Sequence, residues 1–151
     1  MVEEVDKVIV DTYAIIADLT GQATPTAIKV LDSVRLGKVK GVIHYVIIYE
    51  LSYHWRRGRL PYRDEGEFLE FIRTYFDVIR LDPELALEAS RIKLEGDKLL
   101  KSAEHEELKR RELSACDSTT IALALRLKAP VVTGDEDLTY VARKMGVKVL
   151  W

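Results

Sequence analysis

Four carboxylate side chains in this sequence stand at the ends of apolar segments or inside them. Asp11 directly follows a β-branched run, and Asp135 follows a second such run through a two-residue turn. Glu50 lies within a very apolar helical stretch, where an unpaired charge is costly, and Asp117 opens another helical stretch. These positions make the four residues candidates for one shared acidic site.

The chemistry that clustered carboxylates favour is the binding of a cation. Two carboxylates about 4 Å apart repel each other by roughly 4 kcal/mol at an effective dielectric constant of 20, so a cluster of four needs a countercharge. An all-oxygen ligand set suits Mg²⁺ or Mn²⁺. The three histidines have no metal-ligand spacing, and the single cysteine, Cys116, excludes a thiolate zinc cluster. We therefore predict a site for Mg²⁺ or Mn²⁺.

Each acid also has a local structural explanation, which the sequence leaves open. Asp11 and Asp135 are suited to capping the N-terminus of a following helix. Asp117 stands three residues after Ser114, which is the spacing of a capping box. For Glu50 the alternative is a contact with the histidine or the arginine that follow it by four and seven residues on the same helix face.

The elements that must position these acids alternate between short apolar runs and helical patterns. The predicted strands are 8–10, 41–43, 131–132 and 147–150, and the predicted helices are 23–36, 45–57, 67–76, 84–113, 116–127 and 138–145. Strands that alternate with helices indicate βαβ units and a parallel sheet, whose carboxyl edge is where ligands bind. We predict a three-layer α/β/α sandwich with a central, mostly parallel sheet, formed by residues 1–151 as a single domain.

Composition and charge exclude several classes of protein. The chain has 151 residues and a formal net charge of −2, so any nucleic-acid binding must come from a local basic patch. Its longest apolar runs have five residues, which excludes a membrane-spanning helix, and its acidic start lacks the pattern of a secretory signal. We expect a cytoplasmic protein with no membrane partner.

The segment 84–113 carries many charges of both signs around scattered leucines and is interrupted at Gly96-Asp97. This pattern is typical of a solvated helix, and a docking or dimerisation arm is the alternative.

Four stretches of the sequence resemble the PIN-domain ribonucleases, a family that includes the VapC toxins of toxin–antitoxin pairs. In chain order they are Val8-Ile9-Val10-Asp11-Thr12, Ile47-Ile48-Tyr49-Glu50-Leu51, Asp117-Ser118-Thr119-Thr120-Ile121-Ala122 through Leu127-Lys128-Ala129-Pro130, and Val131-Val132-Thr133-Gly134-Asp135-Glu136-Asp137-Leu138. The last stretch closes the acid series with Thr-Gly-Asp-x-Asp.

The resemblance implies a specific set of site residues around one or two Mg²⁺ or Mn²⁺ ions. The ligand quartet would be Asp11, Glu50, Asp117 and Asp135. The resemblance also implies that Asp137 is an outer acid of the site and that Thr12 and Thr133 are its polar supports.

The function implied by the resemblance is a metal-dependent endoribonuclease that hydrolyses RNA phosphodiester bonds, as the toxin of a toxin–antitoxin pair. Its partners would be an RNA substrate, a small antitoxin protein covering the acidic cleft, and a second copy of the chain in a homodimer. A housekeeping RNA-processing nuclease without an antitoxin and a catalytically inactive PIN-like binding module are the alternatives.

RNA can approach an acidic site only if basic residues attract it to the rim. The best candidates are Arg56, Arg57, Arg59 and Arg63, followed by Lys38, Lys40, Arg143 and Lys144. The aromatic residues Tyr13, Tyr45 and Tyr49 could stack on bases near the site, although tyrosine on an apolar helix is more often part of the core.

Overall fold

The computed structural model describes residues 5–151 and is built around a five-stranded sheet. The strands are β1 (Lys7–Val10), β2 (Lys40–His44), β3 (Phe76–Ile79), β4 (Val131–Val132) and β5 (Val149–Leu150). Their order across the sheet is β3-β2-β1-β4-β5, and all four pairings are parallel. The predicted three-layer α/β/α sandwich with a central parallel sheet is confirmed.

Within residues 5–151, eight helices cover the two faces of the sheet. They are α1 (Thr12–Leu19), α2 (Pro25–Arg35), α3 (Tyr45–Arg56), α4 (Glu65–Tyr75), α5 (Pro83–Lys101), α6 (Glu106–Lys109), α7 (Ala115–Leu127) and α8 (Glu136–Lys144). Side-chain caps fix where most of them begin: Asp64 accepts from the backbone N–H of Glu67, and Asp82 accepts from that of Leu85 just before α5. None of the helices in residues 5–151 combines the length and the apolarity that crossing a bilayer requires.

Alternating residues of β1 enter two separate cores. Val8 and Val10 pack with side chains of α1 to α4 on one face, whereas Ile9 packs with side chains of α5 to α8 on the other. This explains why β1 is apolar throughout: both of its faces are covered. Because β1 lies between β2 and β4, the residues that follow β1 and β4 are neighbours at the carboxyl edge of the sheet.

Two elements were missed by the sequence prediction. The helix α1 begins directly after Asp11, and its buried residues are spread around the helix, so it shows no amphipathic period. The edge strand β3 has the burial pattern of a mostly exposed strand, and its first residue, Phe76, was assigned to the preceding helix. Neither segment carries the periodic signal on which the prediction relied.

The prediction of one interrupted helix over 84–113 was wrong in its extent. The helix α5 ends at Lys101 and continues without a break through Gly96, where a Cβ would lie 2.9 Å from Leu113 Cδ2 and 3.1 Å from Val141 Cγ1. Gly96 therefore allows close packing of α5 against the chain that returns after α6. Asp97 reinforces this contact, because its Oδ1 accepts from the backbone N–H of Leu113 at 2.8 Å.

We predict that Gly96→Ala destabilises the protein, although Gly→Ala inside a helix normally gains up to about 1 kcal/mol. The added methyl group meets the fully buried side chain of Leu113, which must shift to accommodate it. Overpacking of this kind costs about 1–3 kcal/mol, so the net free energy of unfolding should fall by about 1 kcal/mol. Urea unfolding at pH 7 measures the change.

The matched control is Gly66→Ala in the first turn of α4, an exposed helical glycine at which an added Cβ would meet only Asp64 Oδ1, at 3.3 Å. This change should stabilise the protein by about 0.5 kcal/mol. A Gly96→Ala variant as stable as Gly66→Ala would contradict the packing argument.

Candidate active site

The four predicted acids converge on one cavity at the carboxyl edge of the sheet. Asp11 follows β1, Glu50 lies on α3, Asp117 lies in the first turn of α7, and Asp135 caps α8. All four line a cavity of about 470 Å³, together with Asp137. Residues that are far apart in the sequence are thus brought together in one place.

Asp11 is the most enclosed of these acids, at 5% exposure, and both of its oxygens are used. Oδ1 accepts the backbone N–H of Tyr13 and so caps α1. Oδ2 accepts the hydroxyl of Thr133 at 2.6 Å. Thr133 Oγ1 in turn accepts the backbone N–H of Asp135 at 3.0 Å, so one threonine links the two strand-end acids.

Glu50 is held by Thr12, whose hydroxyl donates to Glu50 Oε1 at 2.7 Å. Within residues 5–151 no hydrogen bond or ion pair joins Glu50 to Arg57 or His54, so the local alternative for Glu50 is wrong. His54 lines the same cavity and is instead in contact with Arg59, whose Nη1 lies 3.3 Å from His54 Nδ1.

The capping explanations prove compatible with a shared site. Ser114 caps α7 by accepting the backbone N–H of Asp117 at 3.0 Å, which leaves the carboxyl group of Asp117 among the other acids. Asp135 uses Oδ1 to accept the backbone N–H of Leu138 at 3.0 Å. A carboxylate has two oxygens, so a residue such as Asp135 can cap a helix and still offer an oxygen to the cavity.

Burial and neighbouring acids raise the pKa values of two of these carboxyl groups. Burial, followed by the charge of Asp135, raises the pKa of Asp11 from 3.8 to about 7. Burial, followed by the charges of Asp135, Asp11 and Glu50, raises the pKa of Asp117 from 3.8 to about 8. The ionised cluster is therefore unfavourable by itself, and either a proton or a cation relieves it.

Two buried side chains, His44 and Thr120, connect the helices that carry Glu50 and Asp117. His44 is 0% exposed and caps α3 by accepting the backbone N–H of Val46 at Nδ1, so its Nε2 carries the proton that is donated to Thr120 Oγ1 at 2.9 Å. This bond joins the start of α3, which carries Glu50, to α7. Burial lowers the pKa of His44 to about 4, so it stays neutral. Sequence reasoning considered His44 only as a metal ligand and missed this cap, because histidine is not a preferred N-cap residue.

Asp137 faces the cavity but is already paired. Arg111 Nη1 donates to Asp137 Oδ1 at 2.9 Å, and burial raises the pKa of Asp137. Arg111 comes from the turn after α6 and brings a guanidinium group to the rim of the acidic site. Sequence reasoning missed it, because it is one of many charges in the segment 84–113.

The four arginines predicted to bind RNA lie outside the lining of the acidic cavity. Arg56 pairs with Glu65 at 3.3 Å, and Arg63 pairs with Glu67 at 2.9 Å. The remaining two contact side chains of α3: Arg57 lies over the ring of Tyr53, and Arg59 contacts His54. Arg59 is therefore linked to the cavity through a residue that lines it.

The three tyrosines considered for base stacking are exposed, so the alternative that they belong to the core is wrong. Tyr13, Tyr45 and Tyr49 are 47%, 67% and 62% exposed. Tyr13 also lines the acidic cavity and packs edge-on against Trp151, with 5.5 Å between ring centroids.

The composition of the cavity fits a hard divalent cation. Six carboxylate side chains line it, and no lysine or arginine does among the residues that the structure describes. No three of the described aspartate, glutamate, histidine or cysteine side chains are spaced as a ready-made metal cage. Mg²⁺ suits such a site, because it keeps several waters and is held directly by one or two carboxylates.

Comparison with known proteins identifies relatives of this arrangement. A family model described as PIN domain matches residues 8–144. No curated protein matches the sequence. Several solved structures share the fold at low sequence identity.

Three of these structures span most of this chain. VapC20 of Mycobacterium tuberculosis, described as a Sarcin-Ricin loop cleaving toxin, is 18% identical over 87% of this chain and 92% of its own, with a TM-score of 0.60. VapBC2 from Rickettsia felis, solved with a DNA fragment from the promoter of its own genes, is 12% identical. The match covers 95% of this chain and 96% of that one, with a TM-score of 0.62. PAE2754 from Pyrobaculum aerophilum is 20% identical over 96% of this chain and 83% of its own, with a TM-score of 0.60.

We predict that Asp117→Asn flattens the pH dependence of stability in metal-free buffer. Because the pKa of Asp117 is raised from 3.8 to about 8 on folding, its contribution to stability is complete below pH 3.8 and is lost as the pH rises through 8. At pH 9 in EDTA the variant should be more stable than wild type by about 2 kcal/mol, less than the full pKa shift implies because the cavity is open to solvent.

The measurement is urea unfolding in EDTA at pH 5, 7 and 9. The control is Asp77→Asn, which removes an exposed carboxylate on β3 and should follow the wild-type profile. Parallel profiles for wild type and Asp117→Asn would show that the acids do not repel one another in the folded state.

Proposed function

This chain belongs to the PIN domain family, and on that premise we propose that it is a metal-dependent endoribonuclease that hydrolyses RNA phosphodiester bonds. The observation that carries the proposal is the convergence of Asp11, Glu50, Asp117 and Asp135 on one cavity without lysine or arginine in its described lining. A cluster of this kind is unfavourable unless it serves a cation.

Mg²⁺ or Mn²⁺ is the cofactor that the donor set fits, and the four acids would hold it, with Asp137 farther out. Such an ion activates water for attack on a phosphodiester and neutralises the charge that develops on the phosphate and on the leaving oxygen. The protein's task is to keep the acids in place before the substrate arrives.

The residues around the acids perform that task through fixed hydrogen bonds. Thr133 links Asp11 to the turn that carries Asp135, and Thr12 fixes one oxygen of Glu50. When no cation is bound, the pKa values of Asp11 and Asp117, about 7 and 8, allow these two acids to hold protons near neutral pH. Binding of a cation is then coupled to the release of those protons.

The structural neighbours support RNA as the substrate and a toxin–antitoxin pair as the setting. One neighbour is described as a toxin that cleaves the Sarcin-Ricin loop, and another is VapBC2 bound to promoter DNA. We extend these features to this chain as part of the proposal: a toxin that forms a homodimer and is restrained by a small antitoxin covering the acidic cleft.

We predict that the purified chain cleaves single-stranded RNA with Mn²⁺ or Mg²⁺ and not in EDTA. Asp117→Asn and Glu50→Gln should each lower kcat by at least about a hundredfold, because each removes charge that balances the cation. Circular dichroism and thermal unfolding should show an intact fold. Gel analysis of a labelled RNA gives the rates, and Asp77→Asn should cleave like wild type.

Cation binding offers a readout that does not depend on activity. Mn²⁺ at about a hundred times its Kd should raise the free energy of unfolding of the wild type by about 2.7 kcal/mol and have little effect on Asp117→Asn. Cleavage that persists in EDTA and in both acid variants would indicate a contaminating nuclease. Growth arrest on expression, relieved by Asp117→Asn, distinguishes a toxin from a housekeeping nuclease.

A further inference from the structure

A second cavity, of about 930 Å³, lies directly beside the acidic one. We name it the α6–α8 cleft, because its walls come from α6, from α8 and from the turn between β4 and α8. The two cavities share that turn: Gly134 and Glu136 face the α6–α8 cleft, whereas Asp135 and Asp137 face the acidic cavity. A ligand bound to one cavity is therefore next to the other.

An aromatic pair connects the two cavities. Tyr13 lines the acidic cavity, Trp151 lines the α6–α8 cleft, and their rings meet edge to face at 5.5 Å and 75°. The indole lies flat against the turn, where a Cβ on Gly134 would be 2.7 Å from Trp151 Cζ2. A glycine at this position lets the tryptophan sit at the boundary between the cavities.

The α6–α8 cleft offers aromatic faces next to exposed cations. Trp151 and Tyr140 are both partly exposed in its lining. Lys144 Nζ lies 5.6 Å from the centre of the Tyr140 ring, and Arg143 is its neighbour on α8. Neither cation forms an ion pair within the described part of the chain. Three carboxylates also line the cleft: Glu106 pairs with Lys109 at 3.1 Å, and Glu107 and Glu136 lie on α6 and α8.

We infer that the α6–α8 cleft binds the part of an RNA strand that flanks the bond cut at the acidic site. Trp151 stacks on a base, and Arg143 and Lys144 bind phosphate groups. Aromatic side chains beside unpaired cations are the usual means of binding single-stranded nucleic acid, and the cleft adjoins the acidic cavity at the Tyr13–Trp151 contact. The inference rests on the proposed function, because it assigns RNA as the occupant.

Binding is tested in EDTA, so that no cleavage occurs. The probes are oligouridylate and oligoadenylate, and the signal is tryptophan fluorescence, to which Trp55 and Trp151 contribute. RNA should quench the tryptophan fluorescence of the wild type. The Trp151→Phe variant should lose most of this quenching while melting at a similar temperature. The double variant Arg143→Ala, Lys144→Ala should bind about tenfold more weakly, with a salt dependence that is shallower by about 0.7 for each phosphate group that the protein no longer neutralises.

Kinetics with Mn²⁺ separate this inference from the proposed function. The double variant Arg143→Ala, Lys144→Ala should raise KM for RNA about tenfold and leave kcat within about twofold, because it weakens binding away from the reacting phosphate. The control double variant is Arg73→Ala, Lys101→Ala, two exposed cations outside both cavities, and it should match wild type.

The possible outcomes are distinct. A wild type that cuts RNA while the Arg143, Lys144 variant keeps the same KM would overturn the inference and leave the proposed function intact. Quenching by RNA that persists in Trp151→Phe, or quenching by a protein partner and not by RNA, would also overturn it. Quenching that depends on Trp151 in a protein that never cuts RNA would support RNA binding in the α6–α8 cleft, refute the nuclease proposal and overturn the link between the cleft and a cleaved bond.

Discussion

Repulsion between buried carboxylates is the constraint on which the rest of this structure depends. Asp11 and Asp117 are surrounded by other acids in a cavity with no lysine or arginine in its described lining, and their pKa values rise to about 7 and 8 because of burial and of those neighbours. If these residues had only a structural role, replacing them with neutral residues would increase the stability of the fold. The cluster is understandable as a binding site whose missing positive charge comes from outside the chain.

The fold holds the acids against this repulsion by giving several of them a second structural role. Asp11 and Asp135 are both helix caps, and Thr133 connects them. The parallel order of the sheet places the ends of β1 and β4 side by side, which is what brings these two acids together. Under the site, the bond from His44 to Thr120 joins α3 to α7, so that the helices carrying Glu50 and Asp117 cannot separate without breaking a buried hydrogen bond.

Four of the five strands of the described sheet and the positions of Asp11 and Asp135 could be predicted from the sequence, because short apolar runs followed by aspartate leave a strong local signal. Glu50 could be predicted because it is a charge within an apolar helix, and Asp117 because it opens one. The helix α1 could not be predicted, because its buried residues do not lie on one face. The continuation of α5 through Gly96 could not be predicted either, because only the packed neighbour Leu113 explains that glycine. Arg111 and the α6–α8 cleft depend on tertiary contacts between segments that look like ordinary charged surface. Sequence patterns report which residues are buried, and they carry little information on which exposed residues come together.

The most direct test of a cation site among these acids is to locate Mn²⁺ by its anomalous scattering in crystals of the chain soaked at pH 7.5. We expect a peak in the acidic cavity, coordinated directly by one or more of Asp11, Glu50, Asp117 and Asp135, and no such peak in Asp117→Asn. A fully soaked wild-type crystal whose acidic cavity holds only water, with the four carboxyl groups turned away from one another, would contradict this expectation.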